Sequence, residues 1–204
     1  KSSRKKAATL MSEQGIDGLV VIGGDGSFRG AHALWQEFGV PVIGIPGTID
    51  NDIAGTEATL GFDTAVNNAL QAIDKIRDTA SAHERTFIVE VMGRDSGYIA
   101  LDVGLGGGAE AILMPEDKVP VREIASRIAR GLERGKTSSI VVMAEGKKSG
   151  GSMRLAAELQ KSFGIEAKVC ILGHVQRGGS PTARDRRLGS IMGVRAVEAL
   201  LNGY

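Results

Sequence analysis

A short polar segment, residues 46–52 (PGTIDND), contains two aspartates that could carry out chemistry. Asp50 and Asp52 flank an amide and follow the hydroxyl of Thr48. Phosphoryl transfer to an alcohol needs a base near that alcohol and a metal ion that holds the phosphates. One aspartate for each task fits this spacing, but an Asx-type turn that fastens a loop fits it equally well. The spacing alone leaves both interpretations open.

A glycine-rich turn, residues 23–27 (GGDGS), lies between a predicted strand and a predicted helix. Glycines let the backbone approach a phosphate closely, and a helix N-terminus offers N–H groups and the positive end of a dipole. Asp25 in this turn could hold Mg²⁺, directly or through water. The alternative is a tight strand-to-helix turn in which Ser27 caps the helix. The motif therefore indicates a phosphate site, although NAD kinases and lipid kinases share it.

Two further segments carry cations. Arg94 ends the sequence MGR, and a planar guanidinium suits the spreading charge of a phosphoryl group in transfer, although a lone loop arginine is more often a solvated surface charge. His174 and Arg177 lie three residues apart in GHVQRGGSP, where flexible glycines follow. A lone histidine is usually a structural hydrogen bonder, but its pairing with an arginine favours a phosphate pocket.

The chain alternates predicted strands and helices, which indicates βαβ units on a parallel sheet of Rossmann-like type. The predicted strands are residues 17–22, 41–45, 86–92, 111–114, 139–144 and 168–172. The predicted helices are residues 2–14, 27–38, 62–80, 97–105, 122–134, 153–163 and 183–201. Ligands bind beyond the carboxyl ends of the strands in such sheets, and the segments described above follow predicted strands.

Composition narrows the functional class. The 204 residues include 25 Lys and Arg against 24 Asp and Glu, so no net field attracts nucleic acid or an anionic membrane. No apolar run has the length of a membrane span. The single cysteine, Cys170, allows no disulfide within the chain, as expected in a reducing cytosol. The chain lacks an initiator Met, and we expect it to be processed or to start inside a longer protein.

The segments GGDGS, PGTIDND, MGR and GHVQRGGSP resemble those of the phosphofructokinase family, in the same order, and the likeness extends over effectively the whole chain. The resemblance implies two parallel-sheet α/β lobes with the active site in the cleft. Residues 1–60 and 176–204 would form an ATP-binding lobe, and residues 61–175 a lobe that binds fructose 6-phosphate. It implies transfer of the γ-phosphoryl group of ATP, with Mg²⁺, to the 1-hydroxyl of fructose 6-phosphate, giving fructose 1,6-bisphosphate in glycolysis.

The resemblance also assigns roles at the reaction centre. Asp50 matches the general base, Thr48 assists near the transferring phosphate, and Asp52 helps with charge or metal. Arg94 matches the residue that stabilises the transition state. The Mg-ATP site is implied for Asp25, with Gly24, Gly26, Ser27 and Gly30 shaping the nucleotide pocket.

The substrate and effector positions follow in the same way. Besides Thr48, Asp50 and Arg94, the residues that match sugar contacts are Met92, Gly93 and Glu145 for the body and His174 and Arg177 for the 6-phosphate. Arg85 and Lys168 match arginines that reach the sugar phosphate of a neighbouring subunit, which implies a homotetramer in the cytoplasm. The residues that match an allosteric site for ADP or phosphoenolpyruvate are Arg77, Gly108, Glu110, Arg134 and Lys136, although Arg134 and Lys136 are otherwise ordinary charges near a helix end.

Several alternatives remain. Pyrophosphate-using relatives commonly carry Asp in place of Gly26 and Lys in place of Gly47, so the two glycines favour ATP on steric grounds. A pyrophosphate-dependent enzyme, or an inactive or non-catalytic member of the family, is the alternative. Kinases of the NAD or diacylglycerol type and Rossmann oxidoreductases fit less well. The family's first strand and glycine-rich loop and its last strand and helix are absent, so we expect a truncated chain.

Overall fold

The computed structural model describes residues 2–80, 85–146 and 150–203, in which strands and helices alternate as predicted. The strands are β1 (Leu19–Gly23), β2 (Val42–Pro46), β3 (Arg85–Val91), β4 (Ala111–Leu113), β5 (Ser138–Ala144) and β6 (Ala167–Ile171). The helices are α1 (Ser2–Glu13), α2 (Asp25–Phe38), α3 (Phe62–Ala80), α4 (Tyr98–Gly106), α5 (Val121–Glu133), α6 (Gly151–Phe163) and α7 (Ala183–Leu201).

The chain folds into two compact units. Unit 1 comprises residues 1–48, 53–60 and 183–204, and unit 2 comprises residues 49–52 and 61–182. Residues 49–52 and 176–182 therefore pack with the second unit, whereas the predicted boundaries placed them in the first. The reason is hydrogen bonding: Ser96 donates to the carbonyl of Asp50 at 2.9 Å, and the buried Gln176 bonds to the backbone of its neighbours in unit 2. The ligand that each unit binds stays a prediction.

Unit 2 is built on a parallel four-stranded sheet in the order β4-β5-β3-β6. Helices α3 and α4 cover one face, and α5 and α6 cover the other. Successive residues of a strand face opposite sides, so a strand covered on both faces is apolar along its length. In β3, Val89 and Val91 pack in one core and Ile88 in the other, all at most 1% exposed.

Unit 1 contains β1 and β2, which pair in parallel from Leu19 opposite Val42 to Gly23 opposite Pro46. Helices α2 and α7 both pack against these strands. Helix α2 ends at Phe38, and Gly39 caps it in the left-handed conformation (φ 68°). The Gly39 N–H donates to the Trp35 carbonyl at 2.8 Å. Glycine adopts this conformation without a Cβ penalty, so the helix stops there.

The structure departs from the predicted elements at two places that bear on the site. Helix α2 begins at Asp25 with Gly24 at the N-cap position, so Ser27 does not cap it and lies in the first turn. The loop predicted after β6 instead contains a short 3₁₀ helix, Gly173–Arg177. Within the residues that the structure describes, every helix is too short or too polar to cross a lipid bilayer.

Candidate active site

The carboxyl ends of three neighbouring strands assemble one part of the site in unit 2. The last residues of β3 and β5, Val91 and Ala144, are register partners, and Glu90 of β3 pairs with Ile171 of β6. The segments that follow these strands therefore start side by side. They carry Met92, Gly93 and Arg94 after β3, Glu145 after β5, and His174 and Arg177 after β6.

Asp50 is only 5% exposed, and its carboxyl group interacts electrostatically with Arg94, Glu145 and Arg177 of this group. Its backbone carbonyl accepts a hydrogen bond from Ser96 Oγ at 2.9 Å, which ties the short segment 49–52 to unit 2. The next residue, Asn51, has a left-handed backbone with φ 51°. Asparagine tolerates this conformation better than most side chains because its short amide can hydrogen-bond locally. The chain thus turns sharply at the aspartate and leaves its carboxyl group inside the protein.

The charges around Asp50 act in opposite directions on its carboxyl group. Burial raises the pKa of Asp50 above its ordinary value, and the negative charge of Asp52 raises it further. The guanidinium groups of Arg94 and Arg177 lower the pKa, and Glu145 adds a smaller rise. The net direction is upward. A buried carboxyl group of raised pKa with two arginines nearby is the arrangement expected of a general base next to an anionic substrate.

Residues 92–96, which we name the Arg94 turn, hold Arg94 in an uncommon conformation. Arg94 has φ 54°, and Gly93 before it has φ 141°. A Cβ at Gly93 would lie 2.4 Å from the Ser96 carbonyl oxygen, so only glycine fits there. The turn is closed by the Ser96 N–H, which donates to the Gly93 carbonyl at 2.8 Å. Glu145 accepts from the Arg94 N–H at 3.0 Å, so its carboxylate fixes the backbone of this turn.

The 3₁₀ helix Gly173–Arg177, which we name the Arg177 helix, is anchored by a buried amide. Gln176 is 1% exposed, and its Oε1 accepts from the Met92 N–H at 3.3 Å. Its Nε2 donates to the Gly173 carbonyl at 3.0 Å. His174 and Arg177 are exposed on the same helix. The buried Gln176 thus fastens the helix on which His174 and Arg177 are exposed.

Asn68 of α3 holds the end of the same helix. Its Nδ2 donates to the carbonyls of Gln176 at 3.2 Å and Gly178 at 2.7 Å. Gly179 follows with φ 81°, and a Cβ there would lie 3.3 Å from Asn68 Oδ1. The backbone conformation of Gly179 and its packing against Asn68 therefore explain why glycine is found there, whether or not a ligand is in contact with it.

The glycine-rich turn of unit 1 is fixed by a hydrogen bond at Gly23, and it has open space at Gly26. The Gly47 N–H donates to the Gly23 carbonyl at 2.9 Å, and the buried Thr59 donates to the Thr48 carbonyl at 2.5 Å. By contrast, Gly26 and Gly30 lie on α2, and a Cβ at either position would meet no described atom within 4 Å apart from its chain neighbours and the backbone of its own helix. The open space lies at the N-terminal end of α2, where backbone N–H groups and the helix dipole favour an anion.

The two glycines that bear on the phosphoryl donor differ in their surroundings. A Cβ at Gly47 would lie 3.0 Å from Ile22 Cγ2 and 3.4 Å from the Gly23 nitrogen. A side chain at position 47 would therefore require Ile22 to shift by a few tenths of an ångström. Gly26 has open space around it, so its lack of a side chain is free to serve a ligand.

The aspartates described here suit a magnesium ion that is bound mainly by substrate phosphates better than a metal ion that is bound by protein side chains alone. Among residues 2–80, 85–146 and 150–203, no group of three or more His, Cys, Asp or Glu side chains could hold a metal. Asp25 is exposed and pairs with Arg29 one turn along α2, and Asp52 is exposed in unit 2. Magnesium usually keeps several waters and takes one or two carboxylates plus substrate phosphates.

Two of the predicted substrate residues lie at the other end of the sheet. Arg85 is the first residue of β3, and Lys168 is the second of β6, whereas the Arg94 turn follows the last residue of β3. Seven residues of strand separate the two ends by roughly 20 Å. Lys168 is exposed and pairs with Glu166 at 2.7 Å, and the side chain of Arg85 lies outside the described part of the structure. One chain does not bring these residues to Asp50.

The five predicted effector residues occupy α3, the end of α4 and the end of α5. Glu110, with a side chain 6% exposed, accepts from Lys136 Nζ at 2.6 Å and from the Ile140 N–H at 2.6 Å. Arg77 donates to the carbonyl of Gly107, the residue before Gly108, which has φ 63°. Arg134 follows α5 directly. Within the chain, Arg77, Glu110 and Lys136 therefore have structural partners of their own.

Three residues that hold the site in place were missed by the reasoning from sequence. Gln176 lies inside the motif GHVQRGGSP, Ser96 lies two residues after MGR, and Asn68 lies on helix α3. For Gln176 and Ser96 the available signal was an uncharged polar residue within or next to a segment that carries an arginine, and for Asn68 there was no local signal. Only the hydrogen bonds show that all three fasten backbone rather than ligand.

The described residues combine parallel α/β units, a buried carboxyl group whose pKa is influenced by two arginines, and a glycine-rich turn at the start of a helix. The family model described as phosphofructokinase matches residues 1–200, so the chain belongs to the phosphofructokinase family. The ATP-dependent 6-phosphofructokinase 1 of Thermus thermophilus is 58% identical over 200 residues. The match covers 98% of this chain and 62% of that protein, so the chain spans less than two thirds of this relative's length.

Solved structures agree on the fold. The phosphofructokinase of Saccharomyces cerevisiae superposes with a TM-score of 0.89 at 33% identity, covering 98% of this chain and 30% of that one. A pyrophosphate-dependent phosphofructokinase from Marinobacter aquaeolei superposes with a TM-score of 0.81 at 26% identity, covering 98% and 56%. The predicted fold class and family are confirmed.

Proposed function

We propose that the protein carrying this chain transfers the γ-phosphoryl group of ATP to the 1-hydroxyl of fructose 6-phosphate. The observation that carries the proposal is the buried carboxyl group of Asp50, with Arg94 and Arg177 close enough to act on its pKa. Relatives named ATP-dependent 6-phosphofructokinase, such as that of Thermus thermophilus at 58% identity, support the same reaction.

Asp50 is proposed to take the proton of the sugar 1-hydroxyl as that oxygen attacks the phosphorus. Burial raises the pKa of its carboxyl group, which makes the carboxylate a stronger base than an exposed aspartate. The hydroxyl of Ser96 donates to the backbone carbonyl of Asp50 at 2.9 Å, which restrains the backbone that carries this carboxylate. The hydroxyl oxygen–hydrogen bond breaks and its proton moves to the Asp50 carboxylate, where it stays until it exchanges with water. The bond from the sugar oxygen to the γ-phosphorus forms as the bond from the γ-phosphorus to the bridging oxygen of ATP breaks, and ADP leaves with the electron pair of that bond.

Arg94 is proposed to face the phosphoryl group as it moves. Charge spreads over three oxygens in this transition state, and a rigid guanidinium stabilises it without reorganisation. The closed Arg94 turn supports this role because Gly93 and Glu145 fix its backbone. Met92, Gly93 and Glu145 would line the sugar, and His174 and Arg177 would hold its 6-phosphate.

The open glycine turn in unit 1 is proposed to bind the nucleotide phosphates. Gly24, Gly26, Ser27 and Gly30 would shape that pocket, and Thr48 and Asp52 would assist near the transferred group. Asp25 would release its ion pair with Arg29 and help to hold a Mg²⁺ ion that is bound to the phosphates. The ion neutralises phosphate charge when it is bound.

ATP is favoured over pyrophosphate as donor for two reasons. An Asp at position 26 would place a carboxylate in the open space that we assign to the nucleotide, and this chain has glycine there. The matching relative named as ATP-dependent is 58% identical, against 26% for the solved pyrophosphate-dependent enzyme. The absence of Lys at position 47 weighs less, because a side chain there would also need Ile22 to shift.

The position of Arg85 and Lys168 supports a shared site. Both belong to the end of the sheet remote from Asp50, so they would serve the sugar phosphate of a second subunit. We therefore propose a cytoplasmic homotetramer. Arg77, Gly108, Glu110, Arg134 and Lys136 would bind ADP or phosphoenolpyruvate as effector.

The test is an assay of the full-length protein carrying this chain, with fructose 6-phosphate and Mg²⁺ and either ATP or pyrophosphate as donor. We expect fructose 1,6-bisphosphate with ATP and none with pyrophosphate. Product with pyrophosphate alone would overturn the donor, and absence of product with both would overturn the activity.

A further inference from the structure

Gln176 combines two properties that make it unusual among the residues near Asp50. It is 1% exposed, and its side chain bonds both to the Arg94 turn, at the Met92 N–H, and to the backbone of its own Arg177 helix, at the Gly173 carbonyl. Its neighbours in sequence, Val175 and Arg177, are exposed. A buried amide must satisfy both of its ends or lose stability, so its two partners are coupled through it.

The orientation of this amide is fixed by chemistry. The Met92 N–H can only donate, so it requires the oxygen of Gln176, and the Gly173 carbonyl can only accept, so it requires the nitrogen. A rotated amide would place like groups against each other at both ends. Movement of the Arg177 helix as a unit therefore either carries the Arg94 turn with it or breaks the hydrogen bond from the Met92 N–H.

We propose that Gln176 is a positioning residue that couples the grip on the sugar 6-phosphate to the placement of Arg94. The inference rests on the proposed function and names the residue through which recognition of the remote phosphate reaches the reaction centre. Binding energy from a remote group raises the rate only if it is spent on the geometry of the transition state. A rigid amide between the Arg177 helix and the Arg94 turn is a physical path for this.

The second support is that residues other than Gln176 hold each of the two segments in place. Asn68 fixes the far end of the Arg177 helix through the Gln176 and Gly178 carbonyls. Glu145 fixes the Arg94 turn at the Arg94 N–H. Each segment is thus held from outside, and the Gln176 side chain joins the two held segments.

The main test replaces Gln176 by Met, which keeps the volume and removes both hydrogen bonds. In the full-length protein we expect kcat with fructose 6-phosphate and ATP to fall by about 10- to 100-fold, as small misplacements of catalytic groups do. We expect the Kd of fructose 6-phosphate, measured by calorimetry without ATP, to rise by about 3- to 10-fold. Gln160→Met, on the exposed face of α6, is the matched control and should change neither quantity.

Double-mutant cycles separate positioning from general loosening of unit 2. The effect of Gln176→Met on Kd should disappear in an Arg177→Met background, and its effect on kcat should disappear in an Arg94→Met background. Effects of equal size in every background would overturn the inference. So would a variant that melts earlier but keeps the wild-type kcat and Kd.

Gln176→Glu tests the two ends separately. Its carboxylate still accepts from Met92 but cannot donate to Gly173, so we expect Kd to rise as in the Met variant while kcat falls less. Equal losses of kcat in the two variants would contradict coupling through Met92. If the wild-type protein binds fructose 6-phosphate without phosphorylating it, the proposed function fails, and the Kd cycle with Arg177 still decides the inference. A wild-type protein that does neither overturns both.

Discussion

The surroundings of Asp50 and the glycine-rich turn of unit 1 differ in how far the chain itself completes them. Around Asp50, the backbone is fixed by Ser96, Glu145 and Gln176, and the carboxyl group is 5% exposed. At the start of α2, by contrast, a Cβ at Gly26 or Gly30 would meet no described atom within 4 Å beyond its chain neighbours and the backbone of the helix. The first region is organised before any ligand binds, whereas the second leaves space for one.

This difference follows from what each region is proposed to do. A group that moves a proton must be held at a defined place and in a defined environment, because both its reach and its pKa depend on them. A phosphate pocket needs only exposed N–H groups and enough room. Substitutions around Asp50 should therefore change the catalytic rate. Substitutions at the glycine-rich turn should change donor binding where the new side chain has room, and stability where it meets a neighbouring side chain.

The largest expected effect is that of Asp50→Asn. The amide cannot take a proton from the sugar hydroxyl, so we expect kcat to fall by about 10²- to 10⁴-fold. The Kd of fructose 6-phosphate should change little, because the phosphate contacts remain. Steady-state kinetics and calorimetry on the full-length protein check this, with the exposed Asp74→Asn on α3 as control. Wild-type turnover by the Asp50 variant would show that another group is the base.

Gly47→Ala and Gly26→Ala should differ although both add one methyl group to unit 1. At position 47 the new Cβ lies 3.0 Å from Ile22 Cγ2, so we expect a loss of about 1–3 kcal/mol in the free energy of unfolding. At position 26, near the start of α2, the methyl group has room, and we expect no loss of stability. Denaturant unfolding measures both. Equal losses would mean that Gly26 also has a packing role.

Gly26→Asp sharpens the same comparison on the ligand side. We expect KM for ATP to rise by about 10-fold or more, because a carboxylate beside a phosphate repels it. The KM for fructose 6-phosphate should stay within a factor of about two, since Gly26 is not among the proposed sugar contacts. An unchanged KM for ATP would remove Gly26 from the nucleotide site.

Ser96→Ala should have a smaller effect on the region around Asp50. The substitution removes the 2.9 Å hydrogen bond to the Asp50 carbonyl, and the net cost of such a bond is about 0.5–1.5 kcal/mol. We expect a similar loss in unfolding free energy and a decrease of kcat by about 3- to 10-fold. Thermal unfolding and kinetics check both. A loss of stability with no change in kcat would show that Ser96 supports the fold alone.

The smallest expected effect is the pH dependence of stability at Asp50. Because the folded state raises the pKa of this carboxyl group, it binds the proton more tightly than the unfolded chain does. Stability is therefore lost as pH rises from the ordinary aspartate value of about 4 through the folded pKa. Asp50→Asn removes this loss, so its gain in Tm over wild type should grow with pH across that window. A gain that is constant or shrinks would contradict the raised pKa.

Much of the architecture could be read from local patterns. Helices α3 and α7 have the predicted bounds, 62–80 and 183–201, because their apolar spacing and their limits are local features of the chain. The charged motifs follow strands, as predicted, because strand and helix alternate regularly. Asp50, Arg94 and Arg177 could therefore be expected at one end of a parallel sheet, and the structure places them where each influences the Asp50 carboxyl group.

Other features depend on contacts between distant parts of the chain and were not predictable from sequence. The burial of Gln176 follows from its bonds to Met92 and Gly173, and Met92 lies 84 residues away. The role of Gly47 is set by Ile22 on the neighbouring strand, while Gly26 in a similar polar segment has no such neighbour. Local sequence specifies backbone preference and residue chemistry, but distances between remote segments are set by packing. The sequence by itself therefore determined the elements, the family and the charged candidates, and only the tertiary structure decided which polar residues hold them and which glycines are free to serve a ligand.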